Sequence, residues 1–380
     1  MLARPLPGRS QVRRGRPKWS ESEAFSRFES PEGWLDPSGG LCYQFRAKSR
    51  PESLRLASPR LASSRRASPA GSRFRLTHTH EPQQTDTLLA QSALTALRSY
   101  ADLTKPRLLP LVLFTGLPVL GMATESAPSF ALGALTLLGI ALAAASANTL
   151  NAYIERDQDA LMERTRNRPL PAGLMSPSAA LRFGLVLAVF STALLYAIGG
   201  IPVAGVGVAS ILFYIFVYTI WLKPRSAWNA VVGGAAGAAA PLIADVAVNG
   251  QIGSAGLCLF AIVFFWQPPH VWAIALYRKR DYEAAGVPML PSVIGDQPTR
   301  WRMLWYTIGL VPVTLAPYFL GLLGPAYLAT AIGMNAWFVW TAVNLLRARD
   351  DTAARHMFHV SLAYLFALFL AMNVELVVGL

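Results

Sequence analysis

The chain has 380 residues, of which 53% are hydrophobic and only 14% charged, with a formal net charge of +13. Soluble domains carry nearer a quarter charged residues, so this balance points to a membrane protein and away from a water-soluble enzyme. Residues 1–100 hold 17 of the 34 Lys and Arg against 8 acids. The basic excess therefore belongs to one tail and the loops, and gives no reason to expect a nucleic-acid partner. Two cysteines, Cys42 and Cys258, supply neither a disulfide framework nor a CxxC metal site.

In chain order, residues 1–90 come first as an Arg-, Ser- and Pro-rich tail with no sustained apolar face, which predicts disorder. Residues 91–380 form the second unit, a membrane domain. A Ser/Arg-rich leader suggests a mitochondrial transit peptide, but Glu21, Glu23, Glu29, Glu32 and Asp36 fit that reading poorly. A bacterial tail, or a start codon placed too far upstream, is favoured, with a bacterial inner membrane as the location and the mitochondrial inner membrane as the alternative.

A bilayer span needs roughly 20 apolar residues. Such runs follow one another over 108–124, 129–150, 179–199, 201–222, 229–248, 253–277, 303–323, 325–346 and 357–379. The predicted fold is all-α, a polytopic membrane protein with nine transmembrane helices. Threaded this way, every Lys and Arg after residue 100 falls on one side. Lys105 and Arg107 precede the first span, Lys223 and Arg225 follow the fourth, and the opposite connections carry none. The positive-inside rule then puts the N-terminus inside and the C-terminus outside.

Two same-side loops are long and mix carboxylates with basic residues. The first carries Asn151, Glu155 and Asp159, then Arg164, Arg168 and Pro169. If the second span continues as helix, Asn151, Glu155 and Asp159 share one face, about 6 Å of rise apart. At an exposed helix end they are placed to hold a hard divalent cation such as Mg²⁺. Arg164 and Arg168 repeat the four-residue spacing and suit phosphate. The alternative is a solvated helix end with charges of both signs. The second loop runs from Trp266-Gln-Pro-Pro-His270-Val-Trp272 through Tyr277-Arg278-Lys279-Arg280-Asp281-Tyr282 to Gly286-Val287-Pro288-Met289-Leu290-Pro291.

The spacing Asn-x3-Glu-x3-Asp followed by Arg-Thr-x2-Arg-Pro-Leu resembles the first aspartate-rich motif of UbiA-type prenyltransferases, NxxxDxxxD, with Glu155 in place of the first Asp. Asp281 matches the later Asp of that superfamily's second acidic motif, while Tyr277 or Arg278 stands at the earlier acidic position. That departure, with Pro268-Pro269-His270-Val-Trp272 and the Asp281-Tyr282…Gly286-to-Pro291 string, resembles the heme O synthase subgroup, which reads PPHFW…DY..AGVPMLP. Tyr218-Thr-x2-Leu222-Lys223 and the glycine-rich fifth span extend the resemblance over roughly residues 95–380.

The resemblance implies transfer of a farnesyl group from farnesyl diphosphate to the vinyl group of heme B, capture of the resulting cation by water, and release of diphosphate. On that reading Asn151, Glu155, Asp159 and Asp281 are the catalytic, metal-holding residues for Mg²⁺. Arg164, Arg168, Lys223 and Lys279 bind diphosphate. His270, Trp272 and Tyr282 face the heme acceptor, with His270 open to iron ligation or to a purely structural hydrogen bond. Farnesyl diphosphate, heme B, membrane lipid and a heme A synthase are the expected partners. An aromatic or quinone acceptor within the same superfamily is one alternative, and a nine-span transporter or assembly scaffold is another. Asp245, Glu375, His356 and His359 read as interfacial, and Gly233 to Gly237 as a surface for close helix packing, with a channel for an isoprenoid tail as the alternative.

Overall fold

The structure, a computed structural model, describes residues 94–122 and 128–379. The expected tail, residues 1–90, lies outside them. Among the described residues every regular element is helical. Residues 94–103 are helical and lead into α1 (Leu109–Met122), α2 (Phe130–Ile154) and the short α3 (Arg156–Leu161). Then come α4 (Pro177–Leu212), running on into a π-helical segment (Phe213–Leu222), α5 (Asn229–Gly237) and α6 (Ala239–Asn249). The remainder is α7 (Ser254–Tyr277), α8 (Lys279–Ala284), α9 (Leu290–Ile294), α10 (Asp296–Phe319), α11 (Pro325–Ala348) and α12 (Asp351–Val378).

Six helical runs among the described residues are long and apolar enough to cross a bilayer: Phe130–Ile154, Pro177–Leu222, Asn229–Asn249, Ser254–Tyr277, Pro325–Ala348 and Asp351–Val378. Phe130, Phe190, Trp305, Phe319 and Val377 are among many large apolar side chains left exposed on the outside. In water such a surface would aggregate; in lipid it is the solvated face.

The 46-residue run Pro177–Leu222 is not one straight rod. Gly199 (φ −147°, ψ 25°) and Gly200 (φ 64°, ψ −152°) leave helical geometry between its halves. The halves fold back on each other: Ala188 and Thr192 share a groove with Val208 and Ile211. This is the division expected at 199–201, made by a two-glycine turn. The expected run 229–248 is likewise interrupted, at Ala238 between α5 and α6.

Helix α2 packs along α4, and α7 packs against α5, α6, α10 and α12. At the first contact Ser146 Oγ donates to the Gly184 carbonyl (2.8 Å) and Ser191 Oγ to the Gly139 carbonyl (2.9 Å). Small residues bring the backbones close enough for such bonds, the usual adhesive where lipid removes the hydrophobic drive. In the α10–α12 layer Tyr364 donates to Asn335 Oδ1 (2.7 Å), Asn335 Nδ2 to Thr314 Oγ1 (2.8 Å), and Tyr327 to the Thr314 carbonyl (2.7 Å).

The two acids expected at the interface sit beside the connections at 249–254 and Gly324, where each is buried as a helix cap. Helices α7 and α11 both begin after a glycine with no side-chain cap of its own. Asp245, fully buried on α6, accepts from the amides of Gly253 (2.6 Å) and Gly256 (3.1 Å). Glu375, on α12, accepts from the amides of Gly324 and Tyr327. A carboxylate at a helix N-terminus meets both orphan amides and the positive end of the dipole, which is how these charges are tolerated in the bundle. His356 and His359 are exposed near the start of α12.

Gly200 occupies a backbone region open essentially to glycine alone, so a side chain there costs about 1–3 kcal/mol. Gly200→Ala should lower the thermal unfolding midpoint in detergent, whereas Gly205→Ala, whose Cβ meets nothing within 4 Å, should not.

Candidate active site

A cavity of about 370 Å³ runs inside the bundle, walled by α1, α2, the α4–π segment, α5, α6 and α7. Its α2 wall is a stripe of small side chains, Ala143, Ala144 and Ala147, between Ile140 and Asn148. From Ile140 to Asn151 the helix rises about 16 Å. Polar groups gather toward the loop end: Asn148, Tyr214, Tyr218, Asn229, Gln267 and His270. The glycines of α5 make room for two of them. A Cβ on Gly233 would lie 2.3 Å from the Tyr218 ring, and one on Gly237 would lie 2.0 Å from Gln267 Nε2. The small-residue face expected to let helices approach thus also seats cavity side chains.

One turn beyond Asn148 the charged row begins. The backbone bonds Glu155 N to Asn151 O (2.9 Å) and Asp159 N to Glu155 O (2.8 Å) carry helical connectivity across the junction of α2 and α3. Asn151, Glu155 and Asp159 therefore stay on one face, as their spacing predicts. The expectation of an exposed helix end needs correction: all three are buried, at 2%, 5% and 2% exposure. Burial demands partners, and each has one. Lys105 Nζ donates to Asn151 Oδ1 (2.9 Å), Lys223 Nζ to Glu155 Oε1 (2.5 Å) and Arg168 to Asp159 Oδ2 (2.7 Å). Asn151 Nδ2 donates onward to Thr219 Oγ1 (3.2 Å).

The position of Lys223 depends on the π-helical turn. Its amide bonds to the Tyr218 carbonyl (2.8 Å), and Thr219 Oγ1 donates to the Tyr214 carbonyl (2.8 Å), each reaching five residues back. Burial works against charge on Lys223, but Tyr218 and Glu155 outweigh it and its pKa is raised. Lys105 goes the other way. Burial pulls it down to about 8, and the charges of Arg168 and Lys223 push in the same direction. The site holds more cationic than anionic side chains, an excess that suits an incoming polyanion.

The second loop meets the first. Met162 packs with Ala275, Ala285, Val287 and Met289, and Tyr282 lies against the same cluster. Asp281 is partly buried on α8; its Oδ2 has no hydrogen bond and sits 3.8 Å from Arg278. Lys279 pairs with Asp296 (2.8 Å). Arg164 is exposed, within electrostatic range of Tyr277. His270 lines the cavity, whereas Trp272 is fully buried off it, edge-on to Tyr306 at 5.2 Å.

A hard divalent cation suits these donors. Glu155 Oε2 and Asp159 Oδ1 carry no hydrogen bond among the described residues, and Asp281 Oδ2 is an orphaned buried oxygen. Among the described residues no three His, Cys, Asp or Glu side chains cluster as a complete metal cage. Glu155 and Asp159, one helical turn apart, offer the one or two carboxylates through which Mg²⁺ binds beside substrate phosphate and water, and Asp281 is not gathered with them as a third ligand.

Sequence reasoning missed Lys105, which reads only as a topological charge ahead of the first span. Thr219 was visible inside the Tyr218–Lys223 string but carried no assigned role. Nothing in spacing alone marks Tyr214 or Gln267.

Residues 112–371 match the model of the UbiA prenyltransferase family. The chain is 43% identical over 281 residues to the protoheme IX farnesyltransferase of Symbiobacterium thermophilum, covering 73% of this chain and 94% of that relative. Among solved structures, one giving structural and mechanistic insights into the biosynthesis of digeranylgeranylglyceryl phosphate synthase in membranes aligns with a TM-score of 0.63 at 18% identity. It covers 74% of this chain and 98% of the other. A UbiA homolog from Archaeoglobus fulgidus bound to GPP and Mg²⁺ aligns at a TM-score of 0.51 and 17% identity, over 72% and 99% of the two chains. At those identities the structures speak for the fold alone. The family match over most of the chain, and a relative this similar over nearly its whole length, show that the chain belongs to the UbiA prenyltransferase family and is a multi-pass membrane prenyltransferase.

Proposed function

We propose that this enzyme transfers the farnesyl group of farnesyl diphosphate to a vinyl group of heme B, releasing diphosphate and forming heme O. The observation that carries the reading is the buried row Asn151–Glu155–Asp159, with its lysines and arginine, beginning one turn beyond Asn148 on the wall of the cavity. A prenyl diphosphate has this same polarity, a polyanionic head on an isoprenoid tail. The acceptor and the prenyl length rest on the activity named for the Symbiobacterium relative.

Asn151, Glu155 and Asp159 are the residues to hold Mg²⁺, and Asp281, which does not cluster with them here, would join from the second loop. Bound there, Mg²⁺ would supply positive charge against the leaving diphosphate. The Archaeoglobus homolog of this fold binds GPP and Mg²⁺ together, which supports the pairing. Lys105, Lys223 and Arg168 surround the row and stabilise the charge that develops as the C–O bond breaks, with Arg164 at the loop surface. Lys279, tied to Asp296, joins them only after exchanging that partner. Diphosphate oxygens bring the counter-charge that lets Lys223 and Arg168 turn away from their carboxylates. The apolar walls keep water from the allylic cation. His270 and Tyr282 face the acceptor. Trp272, behind His270 on α7, supports that wall.

The full bundle is a nine-span arrangement in a bacterial inner membrane, with the N-terminus inside and the C-terminus outside. Its product would pass to a heme A synthase. The apolar helix α1, the two halves of Pro177–Leu222 and the longer α10 support the count. Single cysteines placed in 156–176 and in 280–298 should be labelled from the same face of the membrane. Labelling from opposite faces would separate the two loops and end the shared site.

Pigments extracted from cells expressing the chain should contain a hydroxyfarnesylated heme that is missing from cells without it. A prenylated quinone precursor in its place would assign a different acceptor.

Because Glu155 and Lys223 are buried partners, removing one strands the other, at a cost of about 3–5 kcal/mol. Glu155→Gln should therefore lose both thermal stability and turnover. Glu155→Gln combined with Lys223→Met should recover the melting temperature without recovering activity, whereas Glu155→Asp should retain activity. Wild-type turnover in Glu155→Gln would show that this row is not the diphosphate site.

A further inference from the structure

His270 meets the cavity from α7, its ring held between Trp266 (ring centroids 4.4 Å apart) and Phe358 (4.9 Å). Its Nδ1 lies 2.7 Å from Ser361 Oγ, and that hydroxyl oxygen lies 2.6 Å from the Phe358 carbonyl. A serine hydroxyl has one proton, and a carbonyl oxygen can only accept. Ser361 therefore spends its proton on Phe358 and accepts from His270, which fixes the proton of the neutral imidazole on Nδ1. The other nitrogen, Nε2, is left with a bare lone pair. Ser361 is itself fully buried, and its carbonyl is held by Trp266 Nε1 at 2.7 Å, so the arrangement is locked from behind.

One turn earlier on α7, Gln267 lines the same cavity, and its amide makes no hydrogen bond among the described residues. Residues three apart on a helix are neighbours on one face. Two acceptors, Gln267 Oε1 and His270 Nε2, thus border the cavity side by side on one helix face. A water molecule donating one proton to each would turn its oxygen lone pair away from both, toward the cavity.

We propose that His270 is the general base of the hydration step, with Gln267 holding the water and Ser361 acting as the positioning residue that keeps Nε2 unprotonated. The inference rests on the farnesyl-to-vinyl reading above. As the C1–O bond of farnesyl diphosphate breaks, its electron pair leaves with diphosphate. The vinyl π pair forms the new C–C bond to C1, and positive charge appears on the vinyl carbon next to the porphyrin ring. The water oxygen bonds to that carbon while one of its protons passes to His270 Nε2, leaving a secondary alcohol and an imidazolium, which then returns the proton to solvent or to the departed diphosphate. Where the base is missing, the cation loses a proton from carbon instead and gives a dehydrated alkene.

The test is product analysis on detergent-solubilised full chain supplied with heme B and farnesyl diphosphate. His270→Ala should lower formation of hydroxylated product by on the order of 100-fold or more, the usual scale of a lost general base. Added imidazole should restore part of it. Ser361→Ala and Gln267→Leu, milder changes that keep the ring in place, should shift product from the alcohol toward the alkene at every level of residual turnover. A mere packing role for Ser361 would lower the rate without moving that ratio. An unchanged alcohol fraction in both milder variants overturns the assignment. So does an imidazole-ligated heme spectrum that disappears in His270→Ala, which would place the lone pair on iron. A wild-type chain that makes no farnesylated heme at all overturns the parent reading together with this one.

Discussion

The site depends on taking carboxylates out of water and answering each with a cation from another part of the chain. Glu155 and Asp159 are buried where an isolated charge would be intolerable. Lys223 reaches Glu155 from the end of the fourth apolar run, Arg168 reaches Asp159 from the loop itself, and Lys105 reaches Asn151 from before α1. Three separated segments are thereby pinned to one helix end. The same electrostatics that hold them there leave a positive excess, so assembly of the bundle and readiness for a polyanion have a single cause.

The bundle's opposite demand, tolerating charge without function, is met by Asp245 and Glu375. Both are buried acids in apolar helices, and an intramembrane acid is by default a candidate for chemistry. Here each is consumed by the amides that open a neighbouring helix. The contrast with Glu155 and Asp159 lies in the partners. Backbone amides are fixed and cannot be exchanged for a ligand, whereas lysine and arginine side chains can swing to a phosphate. Which buried acid works and which only caps is decided by the mobility of what it bonds.

Much of this was legible in the residues. The alternation of apolar runs with one-sided basic loops located the helices, because lipid imposes a length on every crossing. The four-residue spacing of Asn151, Glu155 and Asp159 fixed their common face, since helical connectivity persists through Glu155. Burial of that row was not legible: it depends on Lys105 and Lys223 folding over it from 46 and 68 residues away. Trp272 shows the same limit in reverse. It sits two positions from His270 in a string that resembles a motif, yet a helix turns about 100° per residue, and two steps carry a side chain off the cavity wall. The capping role of Asp245 was likewise hidden, because its partners, the amides of Gly253 and Gly256, belong to the next helix.

The π-helical segment Phe213–Leu222 adds a constraint of its own. Each hydrogen bond there spans one residue more than in an α-helix, so the segment behaves as a backbone insertion absorbed without a bulging loop. Removing a single residue from it would let the chain relax to ordinary α-helix at no cost in hydrogen bonds or hydrophobicity. The extra residue is taken up within the segment, so its loss would respace Tyr214, Tyr218 and Thr219 against the cavity and the row while the chain on either side kept its bearing. What the wide turn supplies to the active site is the five-residue step that sets Thr219 over Tyr214 and Lys223 over Tyr218.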